Sequence, residues 1–258
     1  MILEGLFLLA ISFLVVVFFY KQRQTDLTIL QMEAEQMSQL ADLLSEQQPL
    51  VIRGVSPPKG LTHDALQKIP RLADFPVGGQ PLSAVLESPK MLASAGGLPA
   101  LDLRGRQELA EELSVPVWAT HTWLQPLAET TWIGKAVGTL RTEVVLGGVG
   151  MFRTTAIYTM ILPTSGTYSV SLLSRASEPF LPANWHYRYP SSLGPNDTPL
   201  VADLRFMDIL LRPGTALVLP PHMVISMEPT ADSPAFVAAT ILEYHEPISL
   251  LNKMISGE

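Results

Sequence analysis

The pattern of apolar and polar positions divides the chain into three stretches. Residues 5–20, "GLFLLAISFLVVVFFY", are apolar on every face of any helix they form, and Met1 to Leu3 extend the run past Glu4. As a helix, about 19 residues at ~1.5 Å each span roughly 28 Å, close to the hydrocarbon thickness of a bilayer. A cleaved signal peptide needs a basic start and a small-residue cleavage site, whereas this run carries Glu4 and ends in "FFYKQRQ". The pattern predicts a permanent transmembrane anchor over residues 1–22.

From Thr25 to Gln48 the chain has no Gly or Pro and is rich in strong helix formers. Leu30, Met37 and Leu44 recur every seven residues, with Ala34 and Ala41 between them. A juxtamembrane helix over residues 23–48 is predicted, ending at Pro49. Its stripe fits a seam between helices or packing on the helix's own domain, and the second is the expectation.

Beyond Pro49 the pattern turns to short apolar runs separated by turn residues. "PLVIRGV" reads as a strand, "THDALQKI" as a short helix capped by Thr62, and "LRGRQELAEELS" as an exposed helix. From Thr130 at least four strand-like runs follow, punctuated by Gly148, Gly150, Pro163 and Gly166. After the loop "EPFLPANWHYRYPSSLGPNDTP" come "RPGTALVLPP", "HMVISME" and "AFVAATILEYHE", three more strands. Asp203 and Asp208 flank what reads as a loop. Many short strands with few helices between them predict a mainly β barrel or jelly roll over residues 49–258.

Composition narrows the chemistry. A net charge of −7 with no basic block gives no support for a nucleic-acid surface, which needs clustered Lys and Arg, and no nucleic-acid partner is expected. With no cysteine, disulfides, thiolate metal sites and a cysteine nucleophile are excluded. Lys21 and Arg23 flank the anchor and predict a single-pass protein with its C-terminal domain on the cytoplasmic side. The sequon Asn196-Asp197-Thr198 points the other way but is weakened by Pro199.

Four pieces occur in order: "PLVIRGV", "WIG" (Trp132 to Gly134), "SGTYSVSLLS" and "RPGTALVLPP". In this order and spacing they resemble the JmjC-like cupins, double-stranded β-helix proteins that include Fe(II)/2-oxoglutarate-dependent oxygenases. The resemblance spans roughly residues 49 to 246. It implies a metal held by an H-x-[DE] pair and a distal histidine, a ligand set suited to ferrous iron with open positions. None of His63, His121, His186, His222 and His245 is followed two residues later by Asp or Glu. Counted back from Gly166, the pair falls on Arg153-Thr154-Thr155; counted forward from Trp132, it falls near Val144 to Leu146. The distal histidine corresponds to Ile225 and the cosubstrate lysine to Ser169. The resemblance therefore implies the fold without the metal triad.

The remaining candidates are few. His222 could serve as a substitute ligand only if the strand bends at Pro220-Pro221. Arg153 would hold a carboxylate if it pointed into the barrel, with Thr155 and Ser169 beside it, or it points outward. Trp185, His186, Tyr187 and Tyr189 either form a partner contact or pack over a sheet end. The expectation is a membrane-anchored, non-catalytic cupin that binds a protein partner or its own copies, without cofactor or metal. Such a domain suits a membrane complex or a virion with an internal membrane. The alternative is a divergent oxygenase using Fe(II) and 2-oxoglutarate.

Overall fold

The computed structural model describes residues 7, 9–13, 27–88, 97–131, 134–197, 200–233 and 236–247. The first strands are β1 (Leu30–Glu33) and β2 (Leu50–Arg53), followed by a small hairpin of β3 (Pro76–Val77) and β4 (Gln80–Pro81). Eight longer-range strands follow. They are β5 (Thr139–Leu146), β6 (Val149–Arg153), β7 (Tyr158–Ser165), β8 (Tyr168–Leu173), β9 (Phe206–Leu211), β10 (Thr215–Leu219), β11 (Val224–Pro229) and β12 (Ala238–His245).

Two sheets result, one ordered β1-β2-β10-β7-β12-β5 and the other β6-β11-β8-β9. Strands β5 to β12 alternate between them, with β8 and β9 paired as a hairpin in the smaller sheet. This is the double-stranded β-helix that the sequence predicts. The side chains between the sheets are apolar, including Val145, Ile161, Tyr168, Leu217, Ile225 and Met227, all at most 1% exposed.

The outer face of the large sheet is covered by helices. Leu40, Leu44, Trp123 and Leu127 pack on Ile52, Met160, Val218 and Leu242. Leu66, Leu86 and Leu109 pack on Val144, Leu146 and Ala238. Thr62 caps the helix His63–Gln67 as expected, its hydroxyl accepting from the Ala65 amide at 3.4 Å. The helix Leu103–Glu112 is less exposed than its charges suggest, since it buries Arg106, Leu109 and Ala110 along the edge strand β5.

Several expectations are corrected. The predicted helix over 23–48 begins as a strand: β1 runs parallel to β2, with Met32 beside Ile52. An open sheet edge overrides the helix propensity of this segment. Helical backbone starts at a 3-10 turn, Ala34–Gln39, and continues as the helix Leu40–Ser45. Leu30, Met37 and Leu44 join the same core, so the stripe packs on its own domain.

The stretch holding Asp208 is a strand, β9, whose Ile209 and Leu211 face the interior while Asp208 and Leu210 face out. Gly134 lies in a short helix, Gly134–Val137, and not in a strand; Trp132 and Ile133 are outside the described residues.

The predicted anchor over residues 1–22 lies mostly outside the described residues. Phe7 and residues 9–13 are helical, with Phe7, Leu9, Ile11 and Phe13 exposed. Among the described residues no helix is long and apolar enough to cross a membrane.

The free edge of β6 is closed by the loop after β8. The Tyr187 amide donates to the Met151 carbonyl at 2.9 Å, and the Met151 amide donates to the Arg188 carbonyl at 2.8 Å. The Gly150 amide donates to the Gly97 carbonyl at 2.7 Å. Covering an edge in this way blocks pairing with other chains. A Cβ at Gly150 would collide with the Tyr187 backbone. Gly150→Ala is therefore expected to cost about 1–3 kcal/mol and to speed amide exchange at Met151, read by denaturant unfolding and hydrogen exchange.

Candidate functional site: the mouth of the jelly roll

One end of the sandwich carries the crossings between β6 and β7 and between β10 and β11, together with the start of β5 and the end of β12. Strand alternation decides which side chains face the opening. On the small-sheet side they are Phe152, Leu172 and Ile225, joined by Met223 from the β10–β11 turn, and all belong to the interior apolar cluster. On the large-sheet side, Ile241 and Val145 face inward. Glu143 lies opposite Ile241, and Glu243 lies opposite Arg141 and Thr159. The mouth is thus apolar along one wall and polar along the other.

The two crossings are joined at Thr154, which is 1% exposed. Its amide donates to the Met223 carbonyl at 2.9 Å, and its carbonyl accepts from the His222 amide at 2.7 Å. Its hydroxyl donates to the Pro220 carbonyl at 2.8 Å and accepts from the Met223 amide at 2.9 Å. A buried threonine can make these bonds because one oxygen both donates and accepts. His222 takes a left-handed backbone (φ 63) to complete the turn, and its amide is the donor to Thr154.

The structure separates the predicted ligand-binding residues. The end of β6 falls at Arg153, which agrees with the register counted back from Gly166; Val144 to Leu146 belong to β5. Arg153 pairs across the sheet with Val224, whose side chain lies in the outer cluster with Met151, Leu173 and Trp185. Its guanidinium forms an ion pair with Glu178 on the outside of the sheet, so the inward-pointing carboxylate clamp is corrected. Ser169 also faces outward, opposite Leu210 and Glu228, because its neighbours Tyr168 and Val170 take the inward positions. Thr155 is half-buried in the crossing after β6, and His222 is half-buried in the turn before β11. These four do not converge on one ligand.

The aromatic loop is a cover more than a display. Trp185 is 8% exposed, packs on the outer cluster and stacks on His186 with ring centroids 3.8 Å apart. Tyr189 is half-buried, and burial pushes its hydroxyl up to about 12 with Glu228 adding to the rise. Only His186 and Tyr187 of the four are exposed. Arg188 locks the loop through a bidentate pair with Asp197, at 2.6 and 3.0 Å, and the Gly194 amide donates to the same carboxylate at 2.9 Å. The Arg188 hydrogen bond, then the Gly194 amide, hold Asp197 down at about 2.

The polar wall of the mouth escapes a motif-based reading. Glu143 is 4% exposed and pairs with Arg106 at 3.0 Å and with Arg141 at 3.6 Å. Burial raises its pKa above the ordinary glutamate value against the opposing pull of Arg106, and Glu243 adds to the rise. His245 contacts Glu243 at 3.2 Å. The signal was parity: "RTEVV" and "LEYHE" place charges at every second position of strands whose other inward residues are apolar.

The resemblance puts the donors to a ferrous ion on β6 and β11, and that wall is built from Phe152, Met223 and Ile225. Among the described residues no group of three His, Cys, Asp or Glu could hold a metal.

Comparison with protein-family models and with curated protein sequences gives no match. Among solved structures, the chain is similar to the non-heme alpha-ketoglutarate-dependent epimerase SnoN from nogalamycin biosynthesis. The identity is 12% and the TM-score 0.41, over 82% of this chain and 84% of that one. It is also similar to FeII HppE, at 9% identity and TM-score 0.26 over 40% of this chain and 43% of that one. FeII HppE in complex with substrate form 2 gives 8% identity and the same score over 40% and 42%. The order of the strands defines a cupin-like double-stranded β-helix.

Two measurements test the joints of the mouth. Thr154→Val strips partners from two buried backbone groups and is expected to cost about 1–3 kcal/mol in denaturant unfolding, with Thr154→Ser close to the original. The depressed Asp197 contributes stability above the ordinary aspartate value of 3.8, and that stability is lost as pH falls through about 2. The thermal midpoint of Asp197→Asn is therefore expected to lie below that of the unaltered protein at neutral pH, with the two converging near pH 2.

Proposed function

We propose that the protein is a single-pass, membrane-anchored jelly roll that binds or assembles without catalysing a reaction. The observation that carries this reading is the apolar wall of the mouth: Phe152, Met223 and Ile225 occupy the side where oxygenases of this architecture keep their metal ligands. Thr154 supports it as well, because its buried hydrogen bonds already join the two crossings beside that wall. The anchor rests on the apolar run of residues 5–20 and on the exposed Phe7, Leu9, Ile11 and Phe13. Lys21 and Arg23 favour a cytoplasmic domain. The partner is a protein or further copies of this chain, met by surface that includes His186 and Tyr187 on the edge-covering loop. A component of a membrane complex or of a virion with an internal membrane would use such a module.

A second reading, a divergent Fe(II)/2-oxoglutarate-dependent oxygenase, is favoured by the strand order and by His222 in the turn at the mouth. Metal analysis and thermal unfolding of the detergent-solubilised full chain separate the two. The binding-module reading expects no stoichiometric iron and no midpoint shift with Fe(II) and 2-oxoglutarate. A stoichiometric metal that disappears in His222→Ala would establish the oxygenase reading instead.

A further inference from the structure

A groove opens between the sheet edges on the side away from β5, with a volume of about 320 Å³. Ile29, Val51 and Ile209 give it an apolar lining, and Arg53 and Arg212 stand in it. Arg53 donates to the Gln31 side chain at 2.8 Å. Among the described residues neither arginine lies within ion-pair distance of a carboxylate, whereas Arg71, Arg104, Arg106, Arg141, Arg153 and Arg188 each do. Asp208, which also lines the groove, accepts a hydrogen bond from Ser171 at 2.5 Å. Leu210 is 53% exposed at the rim.

The position of this groove along the chain gives it a partner. Ile29 lines it, two residues after Leu27, where the described domain begins. Seven residue steps separate Tyr20, the last of the apolar run, from Leu27. They reach at most about 25 Å when fully extended. On the anchored reading above, which this inference requires, the groove is held close to the bilayer surface. Lys21 and Arg23 lie on the same tether. A chain of net charge −7 is repelled by an anionic surface unless its basic groups are gathered on the facing side.

We propose that Arg53 and Arg212 bind the net-negative headgroup of an anionic phospholipid, through its phosphate and carboxylate oxygens, in the membrane that holds the chain. A guanidinium suits this role because its planar fork donates in parallel to phosphate oxygens. The exposed Leu210 and the apolar lining suit the less polar region beneath the headgroup. Binding there fixes the orientation of the jelly roll on the bilayer and directs the aromatic loop toward a partner.

The test uses the full chain in vesicles of phosphatidylcholine alone or with phosphatidylserine. The expected result is a rise of roughly 4 °C in the thermal midpoint with phosphatidylserine, lost at high salt and lost in Arg53→Gln/Arg212→Gln. The lysine pair Arg53→Lys/Arg212→Lys keeps part of the rise, while both pairs match the original protein in phosphatidylcholine. No rise, or a rise that survives the glutamine pair, overturns the proposal. An equal rise in phosphatidylcholine on adding inorganic phosphate assigns the groove to soluble phosphate and overturns the lipid as its ligand. Alkaline carbonate treatment of the phosphatidylcholine vesicles reads the anchor separately. Release of the chain there overturns the anchored reading and this proposal with it, whereas retention without a serine-dependent rise overturns the proposal alone.

Discussion

Everything at the open end of this jelly roll depends on how two crossings between the sheets are held together. A double-stranded β-helix is closed along its length by hydrogen bonds but must be tied at its mouth, where the chain passes from one sheet to the other. Here a single buried threonine does this. Thr154 engages the backbone of Pro220, His222 and Met223 through its amide, carbonyl and hydroxyl. Hydrogen bonds of this kind are worth little each against water but are costly to leave unmade when buried. The turn is therefore fixed in one geometry, including the left-handed His222, and the wall beside it fills with Met223 and Ile225.

The opposite wall follows a different rule. Glu143 sits inside, yet it faces two arginines, one from the helix Leu103–Glu112 and one from its own strand. That arrangement covers the free edge of β5 and supplies partners for a charge that burial disfavours. The free edge of β6 is covered by the loop that holds Trp185 and Tyr187. Both edges next to the mouth are thus occupied by the protein itself. The edges left at the other side, β1 and β9, border the groove with Arg53 and Arg212.

Much of this was legible in the sequence, and the failures have physical causes. The alternating runs from Thr139 onward gave seven of the eight jelly-roll strands, because each buries one face between the sheets. β9 was hidden because Asp208 and Leu210 face solvent, and the run is flanked by a long loop. β1 was hidden because its residues favour a helix in isolation, and only an open edge beside β2 makes a strand of them. At the site, the two registers counted for the H-x-[DE] position fall on different strands, β5 and the end of β6, and neither fixed whether Arg153 points inward or outward. A one-residue step reverses that sense, and the pairing of Arg153 with Val224 decides it. Thr154 carried no motif; its role exists only once Pro220 and Met223 are folded against it.

The central claim is that hydrogen bonds through Thr154 tie the mouth of the jelly roll. Amide hydrogen exchange at Met223 and Thr154 in metal-free protein tests this most directly. The account predicts slow exchange at both amides, unchanged when Fe(II) and 2-oxoglutarate are added. Fast exchange in metal-free protein that slows on adding them would contradict it.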